Sequence, residues 1–405
     1  AFAMTSLFAG QEKMVLALIY ILVLVVMIKG LVSPSPNREF RTPFNSLVLS
    51  ICLFYIWMGL SISWSPAPSI SLNMYVWLSI FPLCFFTYSL KQTGDWPYLT
   101  IGLLSVTLIF AFIGITQIMY SGSHQKLIVS LFTKNTYAGL LNLVVLPTTT
   151  WFLIFLSQLN KRFTILLGVV LFILFFAIFQ TGSRGASIAL ALGLIFIFII
   201  NRKYIEKFSL LKVLIILLVA FVFAHFQNYN LEHNLTDRMV QSFDREDKEY
   251  LGMHRLITWK AAWQIIKTAP VIGLGIGTFF IAFPLVRDPF DGSSGIFVHN
   301  DYLQLWLETG IIGLILLLII MVSIMRIFIN LLNQDNLKLN DRLEITGLVA
   351  GLVAVSIHSF VDFNFYIVAI LMVMGLICAR IQEITSQYFS ELMQNVKPAQ
   401  KLSKK

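Results

Sequence analysis

The ionisable residues with the greatest chemical capacity lie in short motifs beside long apolar runs. Arg184 lies within residues 180–186 (QTGSRGA), Arg255 precedes an amphipathic segment, and His299 opens the motif HNDYL. A helix N-terminus beside an arginine binds anions such as phosphate, and two guanidinium groups can share the charge of a diphosphate. A histidine can exchange a proton near neutral pH. These residue types predict transfer chemistry on a substrate that is already activated.

Each of these three residues also has an explanation without chemistry. The glycines around Arg184 suit a tight turn, Ser183 can cap the helix that follows, and the arginine would then reach lipid headgroups. His299 can be a helix-capping histidine, and Arg255 alone can be an ordinary surface arginine. The residues by themselves leave both interpretations open.

Two weaker clusters have structural alternatives as well. His358 and Asp362 are spaced i, i+4, a spacing that favours a structural pair over catalysis. Lys134 and Asn135 lie within residues 132–139 (FTKNTYAG), at the start of a predicted span. They can contact a sugar or a phosphate, although a helix N-cap explains Asn135 almost as well.

Several signatures of other chemistries are missing from the sequence. It contains no Gly-rich phosphate loop ending in Lys-Ser/Thr, no His-Glu-x-x-His, no Gly-x-Ser-x-Gly and no paired-cysteine metal motif. The three cysteines, Cys52, Cys84 and Cys378, lie inside apolar runs, where they behave as small hydrophobic residues. Neither a metal site nor a cofactor is predicted, so the chemistry falls to cationic side chains.

Composition assigns the protein to the membrane. The chain has 405 residues, of which 58% are hydrophobic and 12% charged, and its mean hydropathy is +0.82. Ordinary soluble domains carry about 25% charged residues, so a soluble enzyme, a disordered protein and a disulfide scaffold are excluded. The net charge of +9 reports orientation in the bilayer and does not indicate nucleic-acid binding. The predicted fold class is an all-α integral membrane protein.

The apolar runs predict about eleven transmembrane helices. A bilayer core of about 30 Å needs roughly 20 apolar residues per helix. The predicted spans are 13–29, 44–63, 72–90, 99–119, 136–157, 163–180, 185–200, 209–227, 307–330, 344–361 and 365–382.

Basic residues orient these spans and define the domains. Of the 29 Lys and Arg residues, 18 fall on one side and 11 on the other, seven of the 11 within residues 228–306. The side with 18 is therefore predicted to be cytoplasmic, and the long segment periplasmic. The predicted units are an N-terminal helical part at 4–227, a periplasmic loop at 228–306, C-terminal spans at 307–382 and a cytoplasmic tail at 383–405.

The periplasmic segment is expected to contain short helices. Residues 253–268 are amphipathic, which predicts a helix along the membrane surface with its apolar side formed by Trp259, Ala262, Trp263 and Ile266. Residues 271–286 are apolar but rich in glycine. If they crossed the membrane, every later segment would lie on the opposite side of the membrane from the one predicted by its basic residues. They are therefore expected to pack over the bundle.

The motifs, in their order along the chain, resemble the O-antigen ligase and O-antigen polymerase family of bacterial membrane glycosyltransferases. The resemblance extends over about residues 55–375, and the ordered set flanking one long outer segment is more specific than any single motif. The matching segments are 61–66 (SISWSP), 132–139 (FTKNTYAG), 183–186 (SRGA), Arg255 with Trp259, the glycines Gly273, Gly275 and Gly277, 299–303 (HNDYL), Glu308 with Gly310, and 358–365 (HSFVDFNF).

The resemblance implies an inverting, metal-independent glycosyl transfer that uses no cofactor. An acceptor hydroxyl would attack the anomeric carbon of a glycan carried on undecaprenyl diphosphate, at the periplasmic face of the bacterial inner membrane. Arg184 and Arg255 would bind the diphosphate and stabilise it as leaving group, and His299 would orient or deprotonate the acceptor. The supporting substrate-binding candidates are Lys134, Asn135, Ser183, Asn300, Tyr302, Glu308 and Asp362.

The acceptor remains open at this point. A polymerase would use the next lipid-linked repeat unit and would also imply a chain-length regulator as partner, whereas a ligase would use lipid A core. Residues 132–139 and 362–365 (DFNF) favour a surface-polysaccharide polymerase slightly. Transfer to a protein hydroxyl is a third version. A lipid-linked glycan transporter is another class, disfavoured because charge at mid-membrane is scarce.

The remaining expectations concern partners and helix number. Membrane lipids are expected partners, and nucleic acid is not. The family commonly has about twelve spans with both ends inside, so either a helix preceding Met4 or a miscount within residues 163–200 is expected to explain the eleven found here.

Overall fold

The computed structural model describes residues 45–90, 96–121, 134–227, 253–288 and 295–402. Within these ranges the chain is helical, without a strand. The predicted span 13–29 and residues 228–252, the first part of the predicted periplasmic segment, lie outside them. The helices are α1 (Ser46–Leu60), α2 (Pro68–Leu78), α3 (Ile80–Leu90), α4 (Trp96–Ser121), α5 (Lys134–Ser157), α6 (Lys161–Gln180), α7 (Arg184–Asn201), α8 (Lys207–Gln227), α9 (Met253–Ile266), α10 (Phe279–Ala282), α11 (Asp301–Leu332), α12 (Leu339–His358) and α13 (Val368–Leu402), with 3-10 turns at Ser61–Trp64, Phe283–Leu285 and Asn364–Tyr366.

The all-helical membrane fold class is confirmed, but the helix count is not. Nine helical segments of the described chain are long and apolar enough to cross a bilayer. The predicted span 344–361 forms helix α12, yet it is not among the nine, because Asp341, Arg342 and Glu344 make its first turns polar. The nine are Ser46–Trp64, Pro68–Ser89, Trp96–Thr116, Asn135–Ser157, Lys161–Gln180, Arg184–Asn201, Lys207–Phe226, Asp301–Leu332 and Val368–Tyr388.

Helix α12 forms the centre of the bundle. It packs against α5 and α7, while α13 packs against α3, and α11 against α1. Small residues permit the closest approaches, as is usual between membrane helices. A Cβ at Gly347 of α12 would meet Thr150 and Pro147 of α5, and one at Gly375 of α13 would lie 2.5 Å from the Phe81 carbonyl oxygen.

The bundle has two chemically different ends. Helix α12 ends at His358, beside the start of α7 at Ser183, where Ser183 Oγ lies 3.5 Å from His358 Nε2. At the opposite ends of the same helices, Arg342 donates to the carbonyl oxygens of Leu332 and Ile200. The candidate site residues therefore lie at the end of α7 and α12 that is opposite Arg342. The distribution of basic residues predicted that the Arg342 end is cytoplasmic.

A kink at Gly310 divides helix α11. Gly310 has φ 71°, in the left-handed region, and carbonyls before such a kink lose their helical donors. Three donors from elsewhere replace them. The Leu274 and Gly275 amides bond the carbonyls of Leu307 and Glu308 at 3.0 and 2.8 Å, and Trp57 Nε1 bonds that of Thr309 at 2.8 Å. The glycine-rich loop is thereby fixed to α11.

The outer segment differs in part from the sequence prediction. Residues 271–286 form a loop followed by short helical turns, consistent with the expectation that they are not a span. Helix α9 is also present, and its apolar side was predicted correctly at Ala262 and Ile266 but wrongly at Trp263. Ala261 and Ile265 are buried together with Ala262 and Ile266, whereas Trp263 is 43% exposed. Its indole instead meets Trp306 edge-on, with ring centroids 5.4 Å apart.

Helix α13 continues past the predicted end of the last span. The span was expected to finish at residue 382, but the helix extends to Leu402. Arg380 anchors this part, because its guanidinium bonds Glu344 of α12 at 2.8 and 3.2 Å and Glu383 at 2.8 Å. Tyr88 of α3 donates to the same Glu383 at 2.6 Å.

Candidate functional site

His299 is held in an unusual backbone conformation just before α11. Its φ is 57°, which costs a non-glycine residue about 1–2 kcal/mol and therefore needs support from its surroundings. Asn300 supplies part of it by capping the helix, since its Oδ1 accepts from the amides of Tyr302 and Leu303 at 3.1 Å. Asn300 is therefore the N-cap of α11, and the interpretation of His299 as the helix-capping residue was wrong. Its side chain is 30% exposed.

Asp301 fastens the turn after α12 to the start of α11. Its amide donates to the Ser359 carbonyl at 2.9 Å, and its buried Oδ2 accepts from the Phe365 amide at 3.0 Å. Tyr302 adds a bond from its hydroxyl to the Ser356 carbonyl at 2.7 Å. This turn, residues 359–366, carries Asp362, so these bonds set the position of Asp362 relative to His299.

Asp362 lies between two imidazole rings. Its Oδ1 is 3.9 Å from Nδ1 of His299, and its Oδ2 is 3.6 Å from Nε2 of His358. The carboxylate is fully buried. Burial alone would raise the pKa of Asp362, but the nearby His299, His358 and Arg255 together outweigh it and hold the pKa below its usual value. Asp362 is therefore ionised at neutral pH.

Arg184 is the first residue of helix α7. Ser183 caps that helix as predicted, accepting from the Ala186 amide at 3.4 Å. Gly185 lets this helix end approach the turn closely, because a Cβ there would lie 2.7 Å from Val361 Cγ2 and 2.9 Å from His358 Cδ2. The N-terminus of α7 thus adjoins the His358–Asp362 pair.

Arg255, near the start of α9, faces the same cluster. Burial lowers its pKa, the negative charge of Asp362 opposes that effect, and the positive charge of Arg184 lowers the pKa further. The two arginines are therefore near enough to repel each other. Arg184, Arg255, His299 and Asp362, which are widely separated in the sequence, are brought together at one end of the bundle.

Glu308 is buried away from any open surface. Its Oε1 accepts from Gln304 Nε2 at 3.2 Å and the Phe279 amide at 3.4 Å, and its Oε2 accepts from the Tyr366 hydroxyl at 2.8 Å. These bonds link α11, the glycine-rich loop and the Asn364–Tyr366 turn. Because protein donors occupy both oxygens, the position of Glu308 supports a structural role more than the predicted contact with substrate.

The other predicted binding residues are placed less decisively. Asn300 and Tyr302 use their side chains in the cap and in the bond to Ser356. Lys134 and Asn135 are the first two residues of α5, at the predicted opening of that span, so Asn135 lies inside the helix and not at its N-cap. Further along α5, a Cβ at Gly139 would collide with Asn364, so the helix packs directly against the turn that carries Asp362.

An apolar cavity of about 590 Å³ adjoins the cluster. Its polar end is formed by Asp301, Tyr302 and Ser356. Most of the remainder is lined by side chains of α1, α11, α12 and α13, with contributions from α2, α3 and the turn after α12. It extends from the site end of the bundle into the part that the apolar helices span. The side chains that line its deeper part include Met58, Leu317, Val353, Met374 and Cys378.

No set of three or more His, Cys, Asp or Glu side chains suited to a metal occurs among the described residues. The positive charges near Asp362 come from arginine and histidine.

Part of the chain matches a known protein family. Residues 169–318 match the O-antigen ligase family. The resemblance inferred from the motifs is thereby confirmed over this part of the chain. The matched segment contains Arg184, Arg255 and His299, while His358 and Asp362 lie beyond its end.

Two curated relatives are similar over shorter stretches. A ComP-specific O-oligosaccharyltransferase of Acinetobacter baylyi is 24% identical over 237 residues, which are 58% of this chain and 40% of the relative. An uncharacterized protein of Haemophilus influenzae is 24% identical over 169 residues, which are 39% of this chain and 42% of the relative. The chain thus spans about two fifths of the length of each relative.

Sequence reasoning underestimated two residues of the cluster. His358 was expected to pair structurally with Asp362, and the structure also brings it to Ser183. Gly185 was assigned to a turn, whereas its missing side chain leaves room for His358. The i, i+4 spacing indicated the pairing of His358 with Asp362. No local pattern indicated that Gly185 leaves room for His358.

Proposed function

We propose that this protein transfers a glycan from undecaprenyl diphosphate to an acceptor hydroxyl at the periplasmic face of the bacterial inner membrane. The observation that carries the proposal is the convergence of two arginines, an exposed histidine and a buried carboxylate at one end of a helical bundle. That combination provides an anion site and a proton acceptor side by side.

The arginines account for departure of the leaving group. When the bond between the anomeric carbon and the diphosphate oxygen breaks, its electron pair stays on the diphosphate and adds negative charge. Arg184 and Arg255 offset that charge, and the N-terminus of α7 contributes in the same sense. Arg255 is suited to this task because it is partly buried, where charge interactions are stronger than in water.

His299 accounts for the attack. Asp362 faces Nδ1 of the imidazole, which favours a proton on Nδ1 and leaves the lone pair on Nε2. Nε2 then accepts the proton of the acceptor hydroxyl as its oxygen bonds to the anomeric carbon, on the face opposite the departing diphosphate. The result is inversion, with the proton on His299 and the electron pair on the diphosphate.

The apolar cavity supports a lipid-borne substrate. Its lining is almost entirely aliphatic, aromatic and methionine side chains, and it begins beside Asp301 and Tyr302. This lining matches the chemistry of an isoprenoid or acyl chain, while the polar cluster matches a diphosphate and sugars.

The acceptor separates three versions of this function. Elongation of a lipid-linked repeat unit makes the protein a polymerase, and transfer to lipid A core makes it a ligase, the version favoured by the name of the matching family. Transfer to a protein hydroxyl is favoured by the name of the Acinetobacter baylyi relative.

The test is transfer by purified protein in detergent or lipid nanodiscs. Labelled donor would be incubated alone, with lipid A core, or with a protein acceptor, and the labelled product identifies the version. Arg184→Ala and His299→Ala are expected to lose at least about 100-fold in transfer rate while folding normally. Arg202→Ala is the matched control because Arg202 is exposed at the far end of α7. Normal transfer by both site variants would refute the proposal.

A further inference from the structure

We propose that His358 is a positioning residue for this transfer: it holds Asp362 against His299 and links that pair through Ser183 to the helix end bearing Arg184. The inference rests on the proposed function and extends it to a residue that cannot itself reach substrate. The side chain of His358 is 1% exposed, whereas that of His299 is 30% exposed.

His358 contacts the site through one of its two ring nitrogens, Nε2. Nε2 lies 3.6 Å from Asp362 Oδ2 and 3.5 Å from Ser183 Oγ. Nδ1, on the other side of the ring, is buried without a hydrogen-bond partner among the described residues. An unpaired acceptor costs less than an unpaired N–H in an apolar setting. The proton therefore belongs on Nε2, where it faces the carboxylate.

The two carboxylate oxygens of Asp362 face different imidazole rings. Oδ1 faces His299, and Oδ2 faces His358. The backbone adds a third restraint, since the Phe363 amide donates to Oδ1 at 3.0 Å. Oδ2 accepts no hydrogen bond among the described residues, and Nε2 of His358 faces it at 3.6 Å, so without His358 more of the carboxylate's negative charge would act towards His299.

Helix α7 approaches the end of α12 closely, and this approach depends on the glycine at position 185. A side chain at Gly185 would overlap His358 Cδ2 and Val361 Cγ2, so the first turn of α7 and the end of α12 are in direct contact. Arg184 precedes this glycine. His358 thus couples the carboxylate that orients the base to the helix end that carries one diphosphate ligand.

The sign of the expected pH effect follows from the groups around Asp362. These are His299 before α11, His358 at the end of α12, Arg255 of α9 and Asp301 of α11. Removing the His358 donor leaves more of the carboxylate's negative charge directed at His299. The protonated form of His299 becomes more stable, so its titration moves to higher pH.

The decisive experiment titrates His299 directly in His358→Asn, using the full-length protein. Diethyl pyrocarbonate modifies neutral imidazole, and the rate of modification of the His299 peptide is followed against pH by mass spectrometry. The midpoint is expected to move to higher pH in His358→Asn and, by displacement of the ring, in Gly185→Ala. Gly168→Ala is the matched control, because a Cβ there makes only ordinary contacts at 3.5 Å or more.

Transfer kinetics provide the second readout. For His358→Asn we expect kcat to fall about tenfold or more with KM changed less than about threefold, because the substrate contacts remain. The acid limb of the kcat profile should move in the same direction as the modification midpoint. A folded His358→Asn protein with an unmoved midpoint would overturn the inference whatever its activity.

Failure of the proposed function gives a different pattern. In that case wild-type protein transfers no glycan, or Arg184→Ala transfers normally, while the His299 midpoint still shifts in His358→Asn. The modification assay needs no substrate, so it judges the role of His358 independently.

Discussion

His299 and Asp362 form a pair between an exposed imidazole and a fully buried carboxylate, with Nδ1 and Oδ1 3.9 Å apart. The pair exists because Asp301, two residues after His299, bonds both ends of the turn that carries Asp362. A base and its orienting group are thus held by one short backbone segment. Substitutions of Asp362 should consequently affect activity and acid stability through separate, measurable effects.

We expect Asp362→Asn to reduce transfer by about 100-fold or more, because the amide can donate to Nδ1 and leave Nε2 protonated and unable to accept. Stability gives an independent check. The pKa of Asp362 is lowered on folding, so its charge stabilises the protein above the unfolded pKa of about 4, and this contribution is lost as pH falls through the folded value. Wild type should lose stability below about pH 4 more steeply than Asp362→Asn in thermal unfolding. Parallel curves would contradict this assignment.

The paired arginines predict binding of a free diphosphate. The positive charge of Arg184 lowers the pKa of Arg255, so the two guanidinium groups lie close together and the cluster should bind an anion that both can reach. We expect inorganic pyrophosphate to raise the thermal midpoint, with a smaller rise at high salt. Arg255→Lys should weaken the effect because an ammonium group cannot form a bidentate contact. Arg202→Ala should retain it, and an equal rise in Arg255→Ala would argue against the site.

Local sequence patterns predicted more of this site than of the fold that supports it. The helix cap at Ser183 follows from residue type and position, and the spacing of His358 and Asp362 predicts their pairing, whereas the cap of α11 was expected at His299 and lies at Asn300. Arginines and histidines are scarce in apolar runs, which made the candidates visible. All three features depend only on residues a few positions apart.

The supports that the sequence did not reveal depend on distant residues. Trp57 bonds a carbonyl 252 positions away, at the Gly310 kink, and nothing near either residue announces the contact. On α9, Ala262 and Ile266 are buried as predicted, but Trp263, although apolar, meets Trp306 at the surface while the smaller Ala261 faces the interior. Hydrophobicity alone does not determine which face of a short helix the protein covers.

The kink makes a test of these long-range supports possible. Gly310→Ala is expected to destabilise the protein by at least about 2 kcal/mol, because φ is 71° and a Cβ would collide with the Val271 carbonyl group. Gly102→Ala is the matched control, since a Cβ there meets nothing within 4 Å and alanine is the better helix former. Thermal unfolding in one detergent compares the two. Equal stability of both variants would contradict the structural role given to the kink.

The apolar cavity predicts a dependence of transfer on lipid chain length. Leu317 lines the cavity, so Leu317→Trp should fill part of it and raise KM for a long-chain isoprenoid donor or acceptor by about tenfold. A short-chain analogue does not need the deeper part and should be affected less. Ile315→Trp is the control, because Ile315 is 49% exposed on the same helix and does not line the cavity. If Leu317→Trp and Ile315→Trp had the same effect on both chain lengths, the cavity would not be the lipid site, because only the first substitution changes its volume.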